Sequence, residues 1–334
     1  MTPIGSLTDE MGQAPEEALA DMPRDRIGYP MVLNSLFPVF ALIALGMALK
    51  HWHLTSTDFL KTADRLVYFI FFPALLFWKI GGSPPSPAVN GHFYLAVVLA
   101  ILIIYLGSIT YICWRVPAFQ AGTFSQNCYR INTYIGMAIV INALGEEGIR
   151  PFGILIGFLI PMNNILAVAT LTWYADGHAT GAGRIRQTAQ AMIANPLILA
   201  CVGGLIYSRA IGYFPTFVHN GLALMAGVTL PLALLSIGGA LNPTGIRDNW
   251  KLSLVSTCFK LVALPLIGWM LLRWTGVGGL DLQIGMIYFA LPISPATYVL
   301  ASQLKSDTRL TSATIALSTA LSVFPLAIVL TVFG

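Results

Sequence analysis

Charge is scarce in this sequence: Asp, Glu, Lys and Arg make up 10% of 334 residues, while 56% are apolar. A soluble domain carries about 25% charged residues to cover its surface, so lipid has to take that role here. Mean hydropathy is +0.76. Apolar stretches of about 20 residues recur, the length that crosses a hydrocarbon core roughly 30 Å thick. Acidic side chains are missing from the centres of these stretches; Asp64, at the mouth of the second, comes nearest. That absence excludes an intramembrane aspartyl protease, for which Pro73-Ala74-Leu75 alone is no substitute.

Cysteine and histidine are also few. Cys113, Cys128, Cys201 and Cys258 lie in apolar stretches without CxxC spacing and read as small packing residues. The five histidines sit in or near connecting loops, and His51-Trp52-His53 offers too few ligands for a tetrahedral metal site. No metal and no cofactor is expected. The glycine run Gly177-His178-Ala179-Thr180-Gly181-Ala182-Gly183 lacks the Lys-Ser/Thr ending of a phosphate loop and reads as a connector, which excludes an ATP-driven pump. Nothing points to catalysis or to nucleic acid.

What is present is an all-α integral membrane pattern of ten spans. They cover Leu33–Leu49, Thr62–Ile80, His92–Trp114, Phe119–Leu144, Ile149–Tyr174, Ala191–Ser208, Phe217–Leu241, Leu252–Leu272, Leu282–Leu304 and Leu310–Phe333. Residues 1–31 form an acidic segment with no apolar core, expected to be disordered and no signal peptide. Residues 32–174 form one set of five spans, 175–188 a polar connector, and 189–334 a second set. Ten Lys and Arg fall in the loops of one side and six on the other, which places both termini outside the cytoplasm of a multi-pass inner-membrane (plasma-membrane) protein.

The two sets resemble each other. Asn34 opens the first span and Asn195 the sixth; Pro73 follows Asn34 by thirty-nine residues, and Pro231 follows Asn195 by thirty-six. Five is odd, so the second copy enters the membrane from the other side, giving an inverted repeat with a binding site near the midplane. The fourth and ninth spans are the expected breaks. Leu291-Pro292-Ile293-Ser294-Pro295 ends one helix near Leu291 and starts another at Ser294, with Ser as N-cap and Pro at the first helical position. In the fourth span Asn132 and Thr133 are N-cap types within the polar run Gln126-Asn127-Cys128-Tyr129-Arg130-Ile131-Asn132-Thr133. Two helices starting at depth point amide N–H groups and positive dipole ends at a shared place, which suits an anion.

Arg130 and Lys260 are the two full charges at depth. Lys260 lies nine residues past Lys251, about 13 Å along a helix. Burying an unpaired cation costs at least about 2.5–3.5 kcal/mol. Arg130 keeps its proton and its planar fork suits a carboxylate, so it is the expected substrate clamp; Lys260 is expected to prop the structure or couple charge. Gln126, Asn132, Asn163, Asn164, Ser294 and Thr297 are the other candidates for the same cavity, and for Asn163 and Asn164 a structural role after Pro161 stands level with a binding one.

These motifs resemble the auxin efflux carrier family, in its bacterial branch. The resemblance is carried by residues 126–148 (QNCYRINTYIGMAIVINALGEEG), Pro161-Met162-Asn163-Asn164-Ile165-Leu166, Asn195-Pro196-Leu197-Ile198, residues 230–241 (LPLALLSIGGAL), Lys260-Leu261 with Pro265, and residues 295–300 (PATYVL). It implies crossed, broken fourth and ninth helices of the bile-acid–sodium symporter and sodium–proton antiporter type. It also implies a scaffold of spans one, two, six and seven, against which the remaining core moves in an elevator-like alternating-access cycle. Scaffold faces of such carriers often form a homodimer. The implied substrate is a small organic anion, such as malonate or an auxin-like acid. Where the plant branch has Gly-x-Pro, this chain has Met137-Ala138-Ile139, which points away from auxin itself. A sodium-coupled symporter of bile-acid type, or a non-transporting anion receptor or channel, stands as the alternative.

Overall fold

The computed structural model describes residues 24–82, 90–174, 195–241 and 246–334, of which 24–31 and 246–248 are described as backbone alone. The acidic segment before Arg24 and the connector 175–188 lie outside the described residues. Every regular element among those described is helical.

The first helix, α1 (Arg24–His51), begins well ahead of Leu33. The end of the acidic segment is therefore helical, and Asn34 is an exposed residue inside a helix, not the start of one. The equivalence drawn between Asn34 and Asn195 fails for that reason: Asn195 is a true N-cap whose side chain accepts from the amides of Leu197 and Ile198 at the start of α7 (Pro196–Ala210).

The second expected span is two helices, α2 (Thr57–Leu66) and α3 (Phe72–Gly81), joined through a π-helical turn, Val67–Phe71. The eighth is built the same way, from α9 (Ile246–Cys258), the π-turn Phe259–Ala263 and α10 (Leu264–Trp274). A proline follows each π-turn, Pro73 or Pro265. Proline brings no N–H and crowds the carbonyl four residues back, so the ladder slips by one residue just ahead of it.

Between these run α4 (Gly91–Arg115), α5 (Ala118–Tyr129) and α6 (Thr133–Trp173). At Gly145 in α6 φ is +63°, a left-handed conformation that glycine adopts without a side-chain clash, and here the chain turns from the fourth expected span into the fifth. After α7 come α8 (Thr216–Ala240), then α9 and α10, α11 (Gly279–Ala290), α12 (Ala296–Gln303), α13 (Thr308–Leu321) and α14 (Val323–Phe333). The tenth expected span is interrupted at Ser322, where Pro325 cannot donate to the carbonyl of Leu321.

Six stretches among the described residues are long and apolar enough to cross a membrane, and one of them, Ala118–Trp173, has 56 residues, enough for two crossings. The others are Val32–His51, Gly91–Arg115, Thr216–Ala240, Asn249–Trp274 and Thr308–Phe333. α7 is apolar but has 15 residues, and the α2–α3 and α11–α12 stretches are divided by polar or broken segments.

Helix α8 packs along α1 and α7 packs along α3. The α1–α8 approach is close because α8 carries glycine at the contact. A Cβ at Gly238 would overlap the carbonyl of Ile43, and one at Gly46 would overlap that of Leu235. On the other side of the molecule α4 lies on α10, α5 between α4 and α6, and α13 on α9.

Candidate binding site

Two helix interruptions face each other inside the fold. In the first, α5 ends at Tyr129, Arg130 and Asn132 are extended, and α6 starts at Thr133. In the second, α11 ends at Ala290 and α12 starts at Ala296. The amide of Asn132 donates to the carbonyl of Pro292 at 2.9 Å, joining the breaks backbone to backbone. The amide of Ile293 donates to Ser318 Oγ of α13 at 3.2 Å. Irregular backbone at membrane depth has to find such partners in protein, since lipid supplies none.

Asn132 Oδ1 accepts from the amides of Tyr134 and Ile135, capping α6. Ser294 Oγ accepts from the amide of Ala296 at 3.2 Å, at the start of α12. The free N–H groups expected at these two starts are thus partly taken by the caps. The dipole ends keep their sign, but side chains supply the donors left for a ligand.

Arg130 is the main one. It sits at the C-cap of α5, only 9% exposed. One of its terminal nitrogens donates to Gln126 Oε1 at 3.2 Å and the other to Asn164 Oδ1 at 2.9 Å. Gln126 Nε2 in turn donates to the carbonyl of Thr297 at 3.1 Å, tying α5 to α12. Among the described residues the partners of Arg130 are neutral oxygens, and the ion pair of Lys79 with Glu146 lies elsewhere. Among the expected site residues, Gln126, Arg130, Asn164 and Thr297 are therefore linked in one chain of hydrogen bonds. Thr297 joins by its carbonyl; its hydroxyl is bonded to the carbonyl of Ser294 at 2.7 Å. Asn163 points the other way, donating to the hydroxyl of Tyr288 at a long 3.5 Å.

Several buried polar atoms near these breaks have no protein partner: Asn132 Nδ2, Asn163 Oδ1, Tyr129 Oη and both side-chain polar atoms of Asn127. Buried polar groups are normally satisfied, so each marks a place for water or ligand. Tyr129 and Asn127 belong to the polar run of the fourth span, and their full burial is the signal that sequence reasoning lacked.

Lys260 is fully buried, at the first turn of the π-helical segment, and donates to the carbonyl of Phe289 at 2.7 Å. That carbonyl belongs to the last turn of α11, where the helix leaves its acceptors unpaired and its dipole is negative. The break thus supplies the partner that no carboxylate supplies.

Two cavities lie away from Arg130. One, about 410 Å3, is mostly apolar and borders Gly46, Leu60, Leu232 and Leu235 where α1, α2 and α8 meet. The other, about 460 Å3, is lined by Phe119, Asn249, Ser306, Asp307, Thr308 and Arg309. Neither touches the crossing, whose polar groups are enclosed.

Residues 185–330 match the family described as membrane transport protein. An uncharacterised transporter of Methanocaldococcus jannaschii is 20% identical over 298 residues, covering 87% of this chain and 95% of that relative. Another, from Methanothermobacter thermautotrophicus, is 22% identical over 298 residues, covering 88% and 95%. Over its second half the chain is thus similar to the auxin-efflux-carrier-like membrane transporters, and both relatives that span most of its length are named as transporters. The transporter is a multi-pass membrane protein, and its relatives' names carry no enzymatic activity.

Proposed function

We propose that this transporter is a secondary carrier for a small organic anion, a carboxylate such as malonate or an auxin-like acid, bound at the crossing of the two interrupted helices. The observation that carries the reading is Arg130: a permanent cation 9% exposed, at the meeting of two helix breaks, with neutral oxygens as its partners. A guanidinium in that setting gains most from a carboxylate, which takes two parallel N–H donors in one plane. Asn132 Nδ2, a buried and unpartnered donor, is a further group for the same ligand.

The carrier has ten spans in two inverted five-helix repeats. The paired packing supports this: α1 on α8 is the counterpart of α3 on α7, and α5 on α13 the counterpart of α11 on α6. Spans one, two, six and seven form the scaffold, which is also where a homodimer would join, and the crossing belongs to the part that moves against it. Lys260 props the break and serves as the coupling charge. The carrier lies in the inner (plasma) membrane with both termini outside the cytoplasm.

The test is counterflow of labelled mono- and dicarboxylates in proteoliposomes, with thermal-shift screening of the purified protein against the same acids. Saturable uptake that an internal pool of the same acid accelerates supports a carrier. Flux without such acceleration indicates a channel, and binding without flux a receptor.

A further inference from the structure

Helices α5, α9 and α13 meet along their length, and each turns a polar face to the junction. On α9 that face is Asn249, Ser253, Ser256 and Lys260; on α13 it begins at the N-cap Asp307 and runs through Thr311, Thr314 and Ser318. Both follow the spacing i, i+4, i+7, i+11 of one α-helical face, with Asn249 at a kink (φ −115°, ψ 19°) where the α9 run begins and Lys260 in the π-turn where it ends. On α5 the stripe is Gln120, Thr123 and Asn127.

The three are in register. Gln120 Nε2 donates to both Asn249 Oδ1, at 3.1 Å, and Asp307 Oδ2, at 2.7 Å. Thr123 Oγ1 and Ser306 Oγ are 3.0 Å or less apart, at 2.8 Å. Two turns further in, Thr314 Oγ1 donates to Ser253 Oγ at 3.2 Å. Asn127 lies seven residues beyond Gln120, as Thr314 lies seven beyond Asp307, and Ser256 follows one turn after the Ser253 that Thr314 meets. Ser256 and Lys260 are then i, i+4 neighbours.

These stripes are buried in the molecule: Ser253, Ser256, Thr311, Thr314, Ser318 and Asn127 are each 0% exposed. Hydroxyls bonded to their own helix, as Ser256 and Thr314 are to the carbonyls of Leu252 and Leu310, can serve simple helix packing. Asn127 departs from that pattern. Both polar atoms of its carboxamide are buried without a partner, on the α5 face turned to the junction, and Thr257 Oγ1 on α9 is unpartnered too. Water in a polar gap with two to four partners satisfies such atoms. At its outer end the junction opens into the 460 Å3 cavity lined by Asn249, Ser306 and Asp307.

We propose that this seam is a water-filled path, about 16 Å long from Asn249 to Lys260 at 1.5 Å per residue, by which Lys260 exchanges a proton with the solution at the Asp307 end. The step is balanced with water as the co-reactant. Lys260 Nζ gives one N–H proton to a water oxygen and keeps the bonding electron pair; the charge passes along the seam as hydronium and leaves at the cavity. Return of a proton along the same route restores the ammonium. A seam of neutral hydroxyls and amides ending on an ammonium offers a metal cation no resident site, and its donors are too committed to hold an anion, which leaves the proton as the ion it passes. The elements packed against Lys260 carry His92, Tyr94, Tyr105, Tyr111, Cys113 and Arg115 on α4, Cys128, Tyr129 and Arg130 at the end of α5, Lys251 and Cys258 on α9, Arg273 on α10, and Tyr288 and Asp281 on α11; Asp281, the one carboxylate among these described side chains, stands in the first turn of α11, eight residues before Phe289. The proposal rests on the reading of Lys260 as the coupling charge.

The first test needs no substrate. In a chain with Cys113, Cys128, Cys201 and Cys258 replaced by Ala, Thr314→Cys and Ser253→Cys are made singly, with Ala313→Cys, on another face of α13, for comparison. Vesicles are exposed to silver ion, and the thiols left free are labelled after unfolding. The cysteines in the seam should be blocked about tenfold faster than the one at position 313, because water reaches them. Equal rates at all three overturn the proposal. The second test joins Thr314→Val with Ser253→Ala, which removes two hydroxyls while keeping most of the shape. With a pH dye sealed in proteoliposomes, a carboxylate gradient should move protons in the wild type. In the variant this signal should fall about tenfold while carboxylate counterflow stays within about twofold. An unchanged proton signal, or wild-type exchange that moves no protons, overturns the proposal. If no carboxylate is exchanged by any form, the carrier reading fails, and the silver rates still decide the seam.

Discussion

The amide of Asn132 donates to the carbonyl of Pro292 at 2.9 Å, so the two helix interruptions satisfy each other. The same residue caps α6 through its side chain. Asn132→Ala removes the cap at a depth where water cannot replace it and should cost about 1–2 kcal/mol. The expected outcome is a lower melting temperature in detergent, with Asn132→Ser recovering most of the loss because serine caps as well. Equal stability of the alanine variant would mean that the break is held by packing alone.

Arg130→Ala should abolish detectable carboxylate binding while the protein still folds. Loss of one partner of a buried charged pair costs about 2–5 kcal/mol, which is roughly a 30-fold or greater fall in affinity. Arg130→Lys should bind weakly, since an ammonium keeps the charge and loses the planar fork. Scintillation proximity binding of a labelled acid measures both, and unchanged affinity in the alanine variant removes Arg130 from the site.

Lys260→Met leaves the carbonyl of Phe289 without its 2.7 Å donor. The variant should lose about 1–3 kcal/mol of stability, and its transport should be weaker or changed in its dependence on voltage or pH. Uptake recorded across imposed potentials and pH values checks this; wild-type behaviour in both would leave Lys260 a prop and nothing more.

Gly238→Ala places a methyl where the carbonyl of Ile43 stands. The α1–α8 contact has to open, at about 1–3 kcal/mol for overpacking. Gly227→Ala on the same helix meets nothing within 4 Å and should be neutral. Melting temperatures of the two variants, side by side, test the packing of the proposed scaffold.

Uptake should not require sodium. Sodium sites of the bile-acid type often include a carboxylate, and none of the crossing residues from Gln126 to Thr133 or from Leu291 to Thr297 is acidic. Replacing sodium with choline on both sides of proteoliposomes should leave the rate unchanged; strict sodium dependence would favour the symporter reading.

The place of the breaks was legible because proline and N-cap residues act locally. Pro292 and Pro295 together remove two backbone donors within four residues, where single prolines such as Pro161 and Pro231 are carried inside helices, and the helices end at Tyr129 and Ala290 within a few residues of the expected positions. Helix starts were less so. Asn34 looked like a cap, but α1 runs through it from Arg24, since asparagine also sits on an exposed helix face. The π-turns before Pro73 and Pro265 were missed because a register slip leaves no mark on hydrophobic pattern.

The sequence by itself determined that this chain lives in lipid, that Arg130 and Lys260 carry charge at depth, and where the backbone breaks, because each follows from local composition and sterics. Only the tertiary structure decided which partners those groups have: Asn164 and Gln126 for the guanidinium, the Phe289 carbonyl for the ammonium, and none for Asn127. Partnership depends on which residues distant in the chain come within 3 Å, and spacing along one helix carries no record of that. The alignment of three polar stripes at one junction is of the same kind, since each stripe alone is an ordinary helix face.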